Sequence, residues 1–115
     1  DCPKLVYGLM ANAYVNAKVD LTTTDATTLY TCGPFDTAVV KSILVSEDSN
    51  NADTLTLTLT SGSSTFSLYK DKAVGAKGTV ELLTAPLVVQ ADEILKVTAA
   101  TANRLHVVAS ILEIS

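Results

Sequence analysis

The sequence predicts an all-β fold: an eight-stranded antiparallel β-sandwich of jelly-roll or related Greek-key topology, preceded by an extended N-terminal arm. Three observations predict it. Apolar and polar residues alternate with a period of two along most of the chain, the mark of strands with one buried face. The composition is β-prone, with 16 Thr, 13 Val and 15 Leu among 115 residues, and branched side chains suit a pleated surface. Turn-forming clusters recur at the short spacing of a sandwich. A chain of 115 residues is one domain in size, divided into an arm over 1–12 and a sandwich over 13–115.

The elements follow in order. From 13 to 22, Ala13, Val15, Ala17, Val19 and Leu21 form one face, and Tyr14, Asn16, Lys18, Asp20 and Thr22 the other. A second strand over 26–32 ends at Gly33-Pro34, and a third over 37–46 ends at the polar turn Glu47 to Asn51. The clearest alternation is at 54–60, where Leu55, Leu57 and Leu59 interleave with Thr54, Thr56, Thr58 and Thr60. Ser61-Gly62-Ser63 closes a hairpin into a strand over 64–71. Lys70 to Lys77 is too short and too Gly-broken for a helix. Gly75 and Gly78 bracket a loop before 79–89, a strand interrupted at Pro86 because proline donates no ladder hydrogen bond. Turns at Ala91-Asp92 and Thr101-Ala102-Asn103 then set off strands over 93–100 and 104–114.

Two strands carry apolar residues on both faces. In 37–46, Val39, Ile43 and Val45 share one face while Val40 and Leu44 lie on the other. In 104–114, Leu105, Val107, Ala109 and Ile111 oppose Val108, Leu112 and Ile114. Such a strand is covered twice or carries a bulge that swaps its faces. A two-layer sandwich covers each sheet once, so Val40, Leu44, Val108, Leu112 and Ile114 are candidate interface residues. Leu5, Val6, Tyr7, Leu9 and Met10 join them, because Pro3 and Gly8 break any regular pattern and an extended apolar arm pairs readily with a neighbour.

The chemistry is sparse. Eight Lys plus Arg against twelve Asp plus Glu give a net charge of -4 and a pI near 4.7, unlike the basic footprint of nucleic-acid binders. No apolar run is long enough to span a membrane as a helix, and the first ten residues hold too short an apolar stretch for a signal peptide. Cys2 and Cys32 are too few for a disulfide framework. A bridge between them would pin the N-terminal segment to the end of the second strand, and two free thiols are the simpler reading. His106, the one histidine, lies in a strand with no G-x-S-x-G elbow anywhere in the chain. It reads as a surface or interface side chain. Glu47/Asp48 and Asp92/Glu93 are adjacent turn residues rather than carboxylates facing across a cleft. The oxygen-rich string from Glu47 to Asp53 lacks the spacing of a calcium loop, and turn chemistry accounts for it. No phosphate-cradling glycine loop is present, no cofactor is expected and no enzyme is predicted. With no Trp, a sugar-stacking platform would have to rest on Tyr14 and Tyr69, placed on the outer sides of their strands.

The stretch Leu29-Tyr30-Thr31-Cys32-Gly33-Pro34, followed by Thr37 to Val45, and the later stretch Pro86 to Ala99 resemble small β-sandwich virion proteins of tailed bacteriophages. The resemblance spans 13–114, and Asp92 stands where a Gly is common. It implies a structural protein of the virion that assembles in the host cytoplasm. Its role would be capsid decoration or cement, bridging neighbouring subunits and stabilising the head. The implied partners are the major capsid protein or other virion proteins and further copies of itself, with a trimer favoured by analogy. Nucleic acid and membrane are not among them. A tail adaptor or fibre-associated module, and a carbohydrate-binding sandwich for host attachment, are the alternatives.

Overall fold

The computed structural model describes residues 12–114. The expectations for Cys2, Leu5, Val6, Tyr7, Leu9 and Met10 lie outside these residues. Nine strands follow one another: β1 (Asn12–Asp20), β2 (Thr27–Thr31), β3 (Thr37–Glu47), β4 (Asp53–Ser61), β5 (Ser64–Val74), β6 (Thr79–Glu81), β7 (Leu87–Val89), β8 (Ile94–Ala99) and β9 (Leu105–Ile114). They form two antiparallel sheets. One has the order β1-β9-β3 with β6 and β7 both on the far edge of β3, and the other has the order β2-β8-β4-β5. The chain passes repeatedly between the sheets, which is jelly-roll topology.

The predicted strand over 79–89 is two strands here, so nine segments occupy eight positions. β6 pairs Thr79–Glu81 with Ser46–Leu44, and β7 pairs Leu87–Val89 with Val40–Ala38. Between them Leu82 turns into the core, 2% exposed, and Pro86 cannot donate to a ladder. The Glu81 carboxylate fills the gap. It accepts from the Ile43 N–H at 2.8 Å, the Ser42 hydroxyl at 2.5 Å and the Leu83 N–H at 3.0 Å. Desolvation works against its charge, but these bonds prevail and hold its pKa below the ordinary carboxylate value.

The core lies between the sheets and follows the alternation: Leu55 and Leu57 from β4, Leu95 and Val97 from β8, Val107 and Ala109 from β9 are all fully buried. Val40 departs from its expected place. The register against β9 shifts between Val40 and Ser42, so Lys41 is bulged out and the parity of β3 changes there. Ala38 and Val40 before the bulge therefore point inward with Ile43 and Val45 after it, all 0% exposed. Val40 is core and unavailable to a partner, while Val39 takes the outer position.

Tyr69 likewise departs from its expected outer position. Register shifts in the β4–β5 pair set it opposite the buried Leu57, half-buried, with its hydroxyl donating to the Leu82 carbonyl. It spans the gap between the sheets and is no outer platform, so Tyr14 and Tyr69 share no face. The predicted hairpin after β4 is present, with Ser61 paired to Ser64. Gly62 adopts φ of 61° there, a conformation glycine takes without a Cβ penalty.

Candidate assembly surface

The outward face of the β1-β9-β3-β6/β7 sheet is built in rows, because antiparallel registry sets one residue from each strand side by side. One row reads Tyr14, Leu112, Val39, Val88. The next reads Asn16, Ser110, Ser42, with the bulged Lys41 exposed beside Ser42, and the third Lys18, Val108, Leu44, Glu81. A fourth reads Asp20, His106, Ser46, Thr79. The first row is apolar across four strands and ends on Tyr14 and Val88, 76% and 51% exposed. The third has an apolar centre, Val108 and Leu44 at 40% and 43%, between a cation and an anion. Ile114 lies half-buried beyond the first row, paired with Asn12 and Thr37.

The other sheet faces outward differently. Its rows carry Thr56 with Thr98, Thr58 with Lys96 and Ser67, and Thr60 with Thr65 and Ile94. Hydroxyls there are used locally: Thr56 Oγ1 accepts from the Asp71 N–H at 3.1 Å. The two faces of one small sandwich thus differ, one mostly polar, with Ile94 in its Thr60 row and Phe66 exposed on its edge strand, and one with apolar rows left to solvent.

Leu44, Val108, Leu112 and Ile114 fall on this one face, together with Tyr14. The outward placement of Val39 and Val88 is not legible in the sequence, because the bulge at Lys41 and the isolation of the short β7 hide their parity. Phe35, 91% exposed at the tip of the β2–β3 turn, carries no strand pattern that would mark it either. That turn is held by the Asp36 N–H donating to the Gly33 carbonyl at 3.2 Å, and Cys32 Sγ donates to the Asp36 carbonyl at 3.4 Å. Cys32 itself is 0% exposed. Burial first, then Asp36 and Glu113, push its thiol pKa up, which disfavours the reactive thiolate.

His106 stands at the edge of the face between two carboxylates from other elements. Its Nε2 is 3.1 Å from Asp20 Oδ1 and its Nδ1 3.4 Å from Asp48 Oδ2. Among the described residues no hydroxyl or thiol is set against the ring in a nucleophile–base pair. Among the described residues no group of three or more His, Cys, Asp or Glu is arranged to hold a metal ion. The acidic turn after β3 has a structural task instead. Glu47, 2% exposed, accepts from the Lys77 N–H at 2.8 Å, the Ser49 N–H at 2.7 Å, the Asn51 N–H at 3.2 Å and the Ser49 hydroxyl. Desolvation raises its pKa, but these donors outweigh it and bring it down to about 2. One carboxylate thereby ties the β3–β4 loop to the β5–β6 loop.

No family model matches the chain, and no curated protein matches it. Solved structures do resemble it. A chain of the acid-stable capsid of Helicobacter pylori bacteriophage KHP30 superposes with a TM-score of 0.58 at 11% identity, over 93% of this chain and 94% of that one. A chain of infectious bursal disease virus, Gx strain, gives 0.56 at 10% identity, over 91% of this chain and 32% of its own length. A subunit of Bacillus endospore appendages, described as disulfide-linked pili, gives 0.55 at 12% identity, over 91% and 87%. At these identities the likeness establishes the jelly-roll fold, which capsid and pilus proteins share.

Proposed function

We propose that this chain is a structural protein of a phage virion, a decoration or cement protein that bridges neighbouring subunits of the head. Residues 13–115 would form its body and residues 1–12 an arm reaching to a neighbour. The observation that carries the reading is the asymmetry of the sandwich: an outer face mostly of Thr, Ser and Lys on one sheet and exposed apolar rows on the other. A face of the second kind gains free energy by being covered. The fold shared with a phage capsid chain supports the reading, as does the absence of a convergent nucleophile, base and oxyanion set among the described residues. Reconstruction of purified particles tests it. Many copies spread over the head are expected, whereas a handful at the tail would favour a tail adaptor and absence from particles would refute a virion role.

The likeness to disulfide-linked pili supplies a second reading, a covalently linked fibre subunit, for which Cys2 and Cys32 would serve. Complete burial of Cys32 weighs against it. Electrophoresis without reductant separates the two: a ladder of linked chains supports the fibre, and a single-chain band the virion protein.

A further inference from the structure

The order of residues within the rows of the apolar face points to a specific occupant. We propose that two copies of this chain pair face to face through the β1-β9-β3-β6/β7 sheet, about a two-fold axis that runs along the strands. Such an axis lays β1 of one copy over β6 and β7 of the other, and β9 over β3, while keeping each row level with its own counterpart. The row Lys18, Val108, Leu44, Glu81 then meets its own reverse. Val108 covers Leu44, and Lys18 stands over Glu81, whose carboxylate is held at the sheet edge by Ser42 and Ile43. In the row Tyr14, Leu112, Val39, Val88, Leu112 covers Val39 and Tyr14 covers Val88. Between these rows Ser110 faces Ser42, and the exposed Lys41 that bulges out beside Ser42 lies over the polar Asn16–Ser110 end of the other copy's row.

The alternative two-fold, running across the strands through the Ser110 row, lacks this match. It sets Lys18 on Tyr14 and Glu81 on Val88, leaving the anion against an apolar side chain, which costs desolvation without a countercharge. The face is thus self-complementary in one orientation, as an isologous interface requires. Its size fits a modest dimer. Four strands ~4.8 Å apart and ~9 residues long at ~3.3 Å each bury about 1,100 Å² in total, just above the lower bound for a specific contact. Twisted sheets stack ~10 Å apart at about −30°, so the central rows align best.

The pairing rests on the reading of this face as an assembly surface, and sedimentation equilibrium of the full chain tests it apart from any particle. The expected result is twice the chain mass of 12.0 kDa. Val108→Asp and Leu44→Asp should each return single chains with unchanged circular dichroism. Tyr14→Ser, at a site 76% exposed and so harmless to folding, should weaken pairing. Lys18→Glu should raise the dissociation constant roughly tenfold at low salt, with the difference shrinking as salt screens it. Single chains at roughly 0.1 mM wild-type protein, where an interface of this size associates, would overturn the proposal. So would pairing that survives Val108→Asp, or pairing lost only on changing Phe35, which lies off the face. Pairs in solution with no particle association would sink the virion reading alone, and particle-bound single chains would sink the pairing alone.

Discussion

The Tyr30 hydroxyl on β2 donates a hydrogen bond at 2.5 Å to the Glu113 carboxylate on β9, across the sandwich and 83 residues further along the chain. Glu113 shares its row with Ala38 and Val89, both fully buried, so its charge is turned toward the end of the core. The phenol meets it there and joins the two sheets. Burial first, then the carboxylate, raise the Tyr30 pKa far above its usual value of 10.0.

Tyr30→Phe should therefore cost about 1–3 kcal/mol in urea denaturation, because Glu113 keeps its inward position without a partner. The raised pKa also has a sign: a phenol held neutral in the fold stabilises it fully below pH 10.0, and that contribution is lost as pH rises further. The wild type should lose more stability than Tyr30→Phe between pH 9 and pH 11.

Glu47 works at the acid end. Its folded pKa of about 2 lies below the ordinary 4.5, so its contribution is complete above pH 4.5 and is lost as pH falls toward 2. Glu81 is shifted in the same direction and adds to the loss. Chemical denaturation at pH 7 and pH 3 should give a smaller difference for Glu47→Gln than for the wild type, with the variant less stable at pH 7.

Val40 and Leu44 lie four residues apart on β3 and should behave oppositely. Val40→Ala should cost about 2 kcal/mol, since it opens a cavity in a fully buried site. Leu44→Ala, at 43% exposure, should change monomer stability by less than about 1 kcal/mol. Equal costs at both sites would contradict the bulge at Lys41.

Asp92 occupies the turn between β7 and β8 with φ of 65°, and its N–H donates to the Cys32 carbonyl at 3.1 Å. The left-handed conformation explains why a Gly suits this place. Thermal denaturation should rank Asp92→Ala about 1–2 kcal/mol below Asp92→Gly, because alanine bears the Cβ strain of this conformation and glycine does not.

Cys32 should resist a thiol reagent in the native state and react only on unfolding. Ellman's reagent on a Cys2→Ser background measures this directly, and rapid native labelling would contradict its burial.

Much of this architecture was legible in particular residues. Leu55, Leu57 and Leu59 between threonines announce a half-buried strand, and Gly62 announces its hairpin. Val108, Leu112 and Ile114 against Val107, Ala109 and Ile111 announce a strand apolar on both faces. Such signals are local, since the side of a strand follows from the parity of neighbouring positions.

What the sequence by itself determined is the all-β class, the strand positions, most of the core and the surplus of apolar residues on β9. Tertiary structure alone decided that Val40 turns inward and Val39 outward, that Tyr69 bridges the sheets, that Glu47 ties two loops, and that Lys18 and Glu81 end the same row. The physical reason is that each depends on segments distant in the chain coming together. A bulge is defined only against a partner strand, and a row exists only once strands distant in the chain lie in register, so neither is written in any local pattern.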